Sequence, residues 1–204
     1  MDVPLADRLR AGVAVFNAGH YHAAHDAWEP PYRDADGPAR DFLQGLIQYA
    51  AAAHHVTTGN REGAQGLADS ALGYLDGADD RGIDLAPVRA WLRDCRDDYP
   101  AVAGERPPAL ALDGETPDLP DLRYPAAAVA APLVAEATGY DAGALRAGAE
   151  YALADLADEE VGSPFVTLVL DFLAGERRGV IVTRLSQHVD RRRSREDDVK
   201  GLFD

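Results

Sequence analysis

Residues 37–59 read GPARDFLQGLIQYAAAAHHVTTG, and this stretch decides the fold class. Phe42, Leu46, Tyr49 and Ala53 recur at steps of three and four, which places them on one face of a helix. Gly37-Pro38 opens that helix, because a proline in the first turn has no hydrogen bond to lose, and Gly59-Asn60 ends it after about Thr57. The interior is small: Gly45 and Ala50 to Ala53 let a neighbouring helix come close. The same spacing extends in both directions. Leu5, Leu9, Val13 and Phe16 predict a first helix from about Pro4 to near Gly19. A second begins near His20 or Tyr21 and meets Pro30-Pro31, which cannot donate backbone hydrogen bonds and are expected to kink or stop it. Ala64, Leu67, Ala68, Ala71, Leu72 and Leu75 predict a fourth helix, and Val88, Trp91, Leu92 and Cys95 a fifth after Pro87.

From Pro100 to Pro125 the chain carries six of its 13 prolines, interspersed with Asp and Glu, and reads as a linker or an extended wrap. Helical spacing returns in Leu145, Ala149, Ala152, Leu153 and Leu156. It recurs in Phe165, Leu168, Val169, Phe172 and Leu173, framed by Ser163-Pro164 and Gly175, and finally in Ile181, Leu185 and Val189. Alternating strand-like runs are scarce, so the fold class is all-α: an antiparallel helical bundle with a Pro-rich connector and a C-terminal helical extension. The expected boundaries are residues 1–99, 100–125 and 126–204, with the extension packing on the bundle or on another subunit.

Composition narrows the function classes. The chain has 204 residues, 47 % hydrophobic and 27 % charged, ordinary for a soluble globular protein. Its longest apolar run, Ala126 to Ala135, is far too short to span a bilayer. The opening MDVPLADRLR lacks the pattern of a secretory signal, so a cytoplasmic protein is expected. A single cysteine, Cys95, excludes a disulfide framework within the chain and any multi-cysteine metal site, and it reads as part of the core beside Trp91. A metal would need nitrogen and oxygen ligands. Thirty-five acidic residues, 25 of them Asp, face 20 basic ones, of which Lys200 is the only lysine, for a formal charge of −15. Such a surface repels phosphates and anionic lipid, so neither general nucleic-acid binding nor membrane binding is expected. It resembles the surface of halophilic proteins, with GC-rich coding as the plainer source of the Ala, Asp and Arg excess. Near the C-terminus, Arg177, Arg184, His188, Arg191 and Arg195 fall close to one helical face. That face suits pairing with the protein's own acids or with a second copy in a homo-oligomer, and phosphate binding is the alternative.

The chemistry-bearing stretch is the second helix, where His22, His25, Asp26 and Glu29 share one face. His25 and Glu29, one turn apart, could converge on a divalent metal if His22, Asp26 or His55 supplied a further donor. Gln44, Gln48 and His55 form a second polar stripe on the third helix, and His54 and His55 cannot both face the same way. Tyr21, Trp28 and Tyr32, with Gln44 and Gln48, would line a pocket between the two helices. Three uses fit these residues: a buried hydrogen-bond network clamping the helices, metal ligation, or acid/base work without metal. No Gly-rich phosphate loop or nucleophile elbow occurs.

Over Phe16 to about Leu75 the chain resembles the DUF309 family, small helical proteins without an established function. The resemblance is carried by Phe16-Asn17-Ala-Gly19-His-Tyr21, His25-Asp26-Ala-Trp28-Glu29, Phe42-Leu43-Gln44-Gly45-Leu46-Ile47-Gln48, Ala50 to His55 and Gly59-Asn60. The family's hallmark is a His, three residues, a Glu, two residues, then Trp or Tyr, here His25, Glu29 and Tyr32. Asp26 stands where the family commonly has Glu, and Pro30-Pro31 falls inside the hallmark. The resemblance implies that this motif matters for function, with metal binding as the role suggested for the family. Taken together, the residues favour a module that holds a small ligand or a protein partner in a polar His/Glu pocket. The alternative is a metal-binding, hydrolase-like protein using His25 and Glu29, and no pattern fixes a reaction. The acidic surface makes one prediction: dialysis from molar to low salt lowers the helical circular dichroism signal. An unchanged signal would refute the halophilic reading.

Overall fold

A computed structural model describes residues 3–200 of the chain and shows nine α-helices among them. They divide into two compact units: Arg8–Asp118, and a second that collects the described residues up to Asp7 and from Leu119 onward. In the first unit α1 (Leu5–Asn17, of which the part from Arg8 on belongs here), α2 (Tyr21–Asp34), α3 (Gly37–Thr57), α4 (Arg61–Leu75) and α5 (Leu85–Asp97) follow one another through short turns. α2 packs on α3, α3 on α4, and α4 on α5. The turn between α1 and α2 is made possible by Gly19, whose φ of 88° suits only a residue without a side chain.

Small residues set how closely these helices approach. A Cβ at Gly12 of α1 would fall within the indole of Trp28 on α2, and one at Gly45 of α3 would collide with Leu75 of α4. Trp28 is 0 % exposed, so its ring fills the space that Gly12 leaves. Phe16 lies 4.9 Å from both Tyr21 and Tyr49 between ring centres, and Tyr49 meets Trp91 of α5 edge-on at 5.5 Å. These aromatic contacts tie α1, α2, α3 and α5 into one core. Cys95 is buried in it, and burial pushes its thiol up to about 11.

The proline pair does not stop α2, which runs through Pro30 and Pro31 to Asp34. Both prolines sit near the helix end, where their missing N–H groups remove only two bonds of the ladder. The Arg40 guanidinium donates to the Tyr32 and Ala35 carbonyls and to the Tyr32 hydroxyl, holding this end in place.

After α5 the chain wraps the first unit in extended form. Val102, Leu110 and Leu112 are buried, and Tyr49 donates to the Pro108 carbonyl at 3.0 Å. Asn17, the last residue of α1, fixes the wrap: its amide donates to the Leu110 and Pro117 carbonyls and its oxygen accepts from Leu110 N–H at 2.8 Å. The boundary between the units therefore falls inside the Pro-rich stretch, at Asp118.

The second unit contains α6 (Ala126–Ala137), α7 (Ala142–Ala157), α8 (Pro164–Ala174) and α9 (Arg178–Lys200). α6 and α9 each pack on both α7 and α8, which also pack on each other. Ser163 caps α8 and Gly175 closes it in the left-handed conformation, both as the sequence predicts. Ser163 also donates to the buried Asp155 at 2.6 Å, and Arg192 of α9 pairs with the other carboxylate oxygen at 3.2 Å. The pairing satisfies a carboxylate that burial would otherwise penalise heavily. No helix among the described residues is long and apolar enough to cross a membrane.

The Asn17 contacts give a direct test. Asn17→Ala removes three partly buried hydrogen bonds and is expected to lower the stability of the first unit by about 2 kcal/mol. Urea unfolding followed by tryptophan fluorescence, both tryptophans lying in this unit, measures it; an unshifted midpoint would show that the wrap contributes nothing.

Candidate functional site

The rotation of α2 is set by what it buries. Tyr21, Ala23, Ala24, Ala27 and Trp28 face the core, so His22, His25, Asp26 and Glu29 are left toward solvent. His22 is exposed, and the other three are half-buried. One donor atom each from His25, Asp26 and Glu29 lies within 4.8 Å of the others, the one such group of three or more among the described residues. His25 Nδ1 and Asp26 Oδ1 are 2.8 Å apart, so the ring donates to the carboxylate there and its Nε2 lone pair is left available. Two ligand atoms on one metal at about 2.0–2.2 Å lie about 3–4 Å apart, so small rotations of these side chains close the group around an ion.

Glu29 already has a cationic partner. Arg33, one turn later, donates to Glu29 Oε1 at 2.7 Å from a side chain that is 68 % exposed. An exposed i,i+4 pair of this kind holds weakly and gives way to a stronger cation. Tyr32 is engaged differently: the Arg40 guanidinium lies 4.1 Å over its ring and donates to its hydroxyl at 2.8 Å.

The histidines of α3 fall apart in role. His55 Nδ1 accepts from the Asn60 amide at 2.9 Å, while Asn60 caps α4 by accepting from Gly63 N–H. His55 thus belongs to the α3–α4 turn and lies outside the group of three. His54 instead faces α2, with its ring 5.5 Å from that of His22. Partial burial, helped by His22 and His55, holds the His54 imidazole below its ordinary range. His22 and His25 stand 6.0 Å apart with nearly parallel rings.

Gln44 and Gln48 are half-buried on α3, and Gln48 Oε1 is buried without a hydrogen-bond partner, as is Trp28 Nε1. Tyr21 packs on Phe16, and burial raises its phenol above the ordinary range. Of the residues proposed from sequence, the structure therefore brings His25, Asp26 and Glu29 together, with His22 alongside. Two participants were not singled out. Arg33 was legible as the i+4 partner of Glu29, and His54 lies two turns after Ile47, on a face that the stripe through Gln44 and Gln48 does not include.

At the C-terminal helix, Arg192 is committed to Asp155 and Glu196, and Arg178 donates to the Phe172 carbonyl. His188 packs edge-on against Phe165, and burial with Arg191 nearby lowers its pKa. The paired guanidiniums serve the second unit's own structure.

No curated protein matches this chain. Residues 9–67, from the middle of α1 into α4, match the model of the family described as Domain of unknown function (DUF309). The resemblance read from the motif holds over that segment, which carries His25, Asp26, Glu29 and both histidines of α3 and is similar to DUF309.

Proposed function

We propose that the first unit is a divalent-cation-binding module, with one nitrogen of His25 and one oxygen each of Asp26 and Glu29 as protein ligands. The observation that supports this most is the convergence of three donor atoms within 4.8 Å on the half-buried outer face of one helix. Two carboxylates and a neutral imidazole balance the charge of a divalent ion, and a mixed nitrogen and oxygen set suits Mn2+ or Zn2+ better than Ca2+. Three ligands from one side leave the remaining coordination positions open to solvent, a small ligand or a donor from a partner protein. The chain's −15 charge draws cations toward the site. The structural-network reading is weaker here, because the three side chains are half-buried and do not clamp two helices together.

The test uses the full chain purified without a histidine tag at high salt, stripped with chelator and dialysed against Mn2+. Wild type is expected to retain about one equivalent by elemental analysis, and His25→Ala/Glu29→Ala to retain none while keeping its helical circular dichroism. Equal Mn2+ in both would sink the reading. Arg33→Gln frees Glu29 and removes a positive charge, so it is expected to tighten Mn2+ binding about two- to fivefold. Unchanged or weaker affinity would show that Arg33 does not compete for the carboxylate.

A further inference from the structure

The two helices that carry the candidate site also bring a second set of donors together. His22 projects from α2 and is exposed, His54 projects from α3 and is half-buried, and their ring centres are 5.5 Å apart with planes inclined by 40°. Two imidazoles bound at about 2.0–2.1 Å and near the tetrahedral angle have ring centres about 5 Å apart, so this separation is close to that of a chelating pair. The neighbouring histidines do not absorb either ring. His55 is held by Asn60, and His25 is bonded to Asp26. His22 lies outside the group formed by His25, Asp26 and Glu29.

We propose that His22 and His54 form a second, nitrogen-only cation position that bridges α2 and α3 and takes Zn2+, Ni2+ or Cu2+. The ligand chemistry separates it from its neighbour. Imidazoles alone favour these borderline ions, whereas a carboxylate-rich set also accepts Mn2+. The placement separates the two as well. His25, Asp26 and Glu29 all belong to one helix, while His22 and His54 join two helices that already pack on each other. Water would complete the coordination of an ion held there. The inference does not depend on the Mn2+ site, since no ligand is shared.

Zn2+ stoichiometry of the untagged full chain tests it, measured by isothermal titration and by elemental analysis after dialysis. Wild type is expected to bind two equivalents. His22→Ala, a change at an exposed position that cannot disturb the core, is expected to bind one, and so is His54→Gln. Asp26→Asn/Glu29→Gln is expected to lose the other ion and keep this one. Two equivalents in both histidine variants would overturn the proposal. So would a single ion in wild type that survives His22→Ala and is lost in the carboxylate variant, an outcome that leaves the Mn2+ reading standing. A single ion lost in the histidine variants but kept in the carboxylate variant would support this position and remove the other. One ion lost in both sets, or none in wild type, overturns a separate position.

Discussion

Trp28 lies where any side chain at position 12 would have to be, and much of the first unit follows from that contact. The indole fixes both the distance between α1 and α2 and the rotation of α2 about its own axis. With Ala24, Ala27 and Trp28 turned inward, helical geometry leaves His22, His25, Asp26 and Glu29 on the outer side, whatever else the chain does. The polar group is therefore a by-product of core packing: its donors are aligned by apolar contacts, which leave Trp28 Nε1 buried without a partner. Gly45 against Leu75 repeats the device between α3 and α4, where the missing side chain lets the two helices approach closely.

How much of this could be read in advance depends on what each residue competes with. The all-α class and the ends of α1, α3 and α8 were legible, because apolar spacing and terminal Gly, Pro and Ser act locally. α6 was not singled out as a helix, for a physical reason. Its residues Ala126 to Val134 are apolar on every side and nearly all buried, so there is no polar face to give a period. The proline pair in α2 points the other way. Local chemistry predicts an interruption, but Arg40 reaches back eight and five residues to the Tyr32 and Ala35 carbonyls, a contact no local rule contains.

The site shows the same division. That His25, Asp26 and Glu29 share a face follows from their spacing, and the structure brings in Asp26, not His22 or His55, as the third member by bonding it to the His25 ring. Which of His54 and His55 turns toward α2 depends on the phase of α3 against α2, a tertiary quantity. Asn60 settles it by capping α4 and holding His55 in the turn at once. Likewise, Asn17 reads in sequence as a turn residue, yet its amide spans about a hundred positions to fasten the Pro-rich wrap.

The lone thiol has a consequence of its own. Cys95 is fully enclosed between α5 and the rest of the first unit, and the chain holds no other sulfhydryl. A thiol reagent reaches it only when α5 lifts away, and burial keeps it in the unreactive protonated form until then. Its modification rate is thus a clock for opening of the first unit, built into the sequence without any added label.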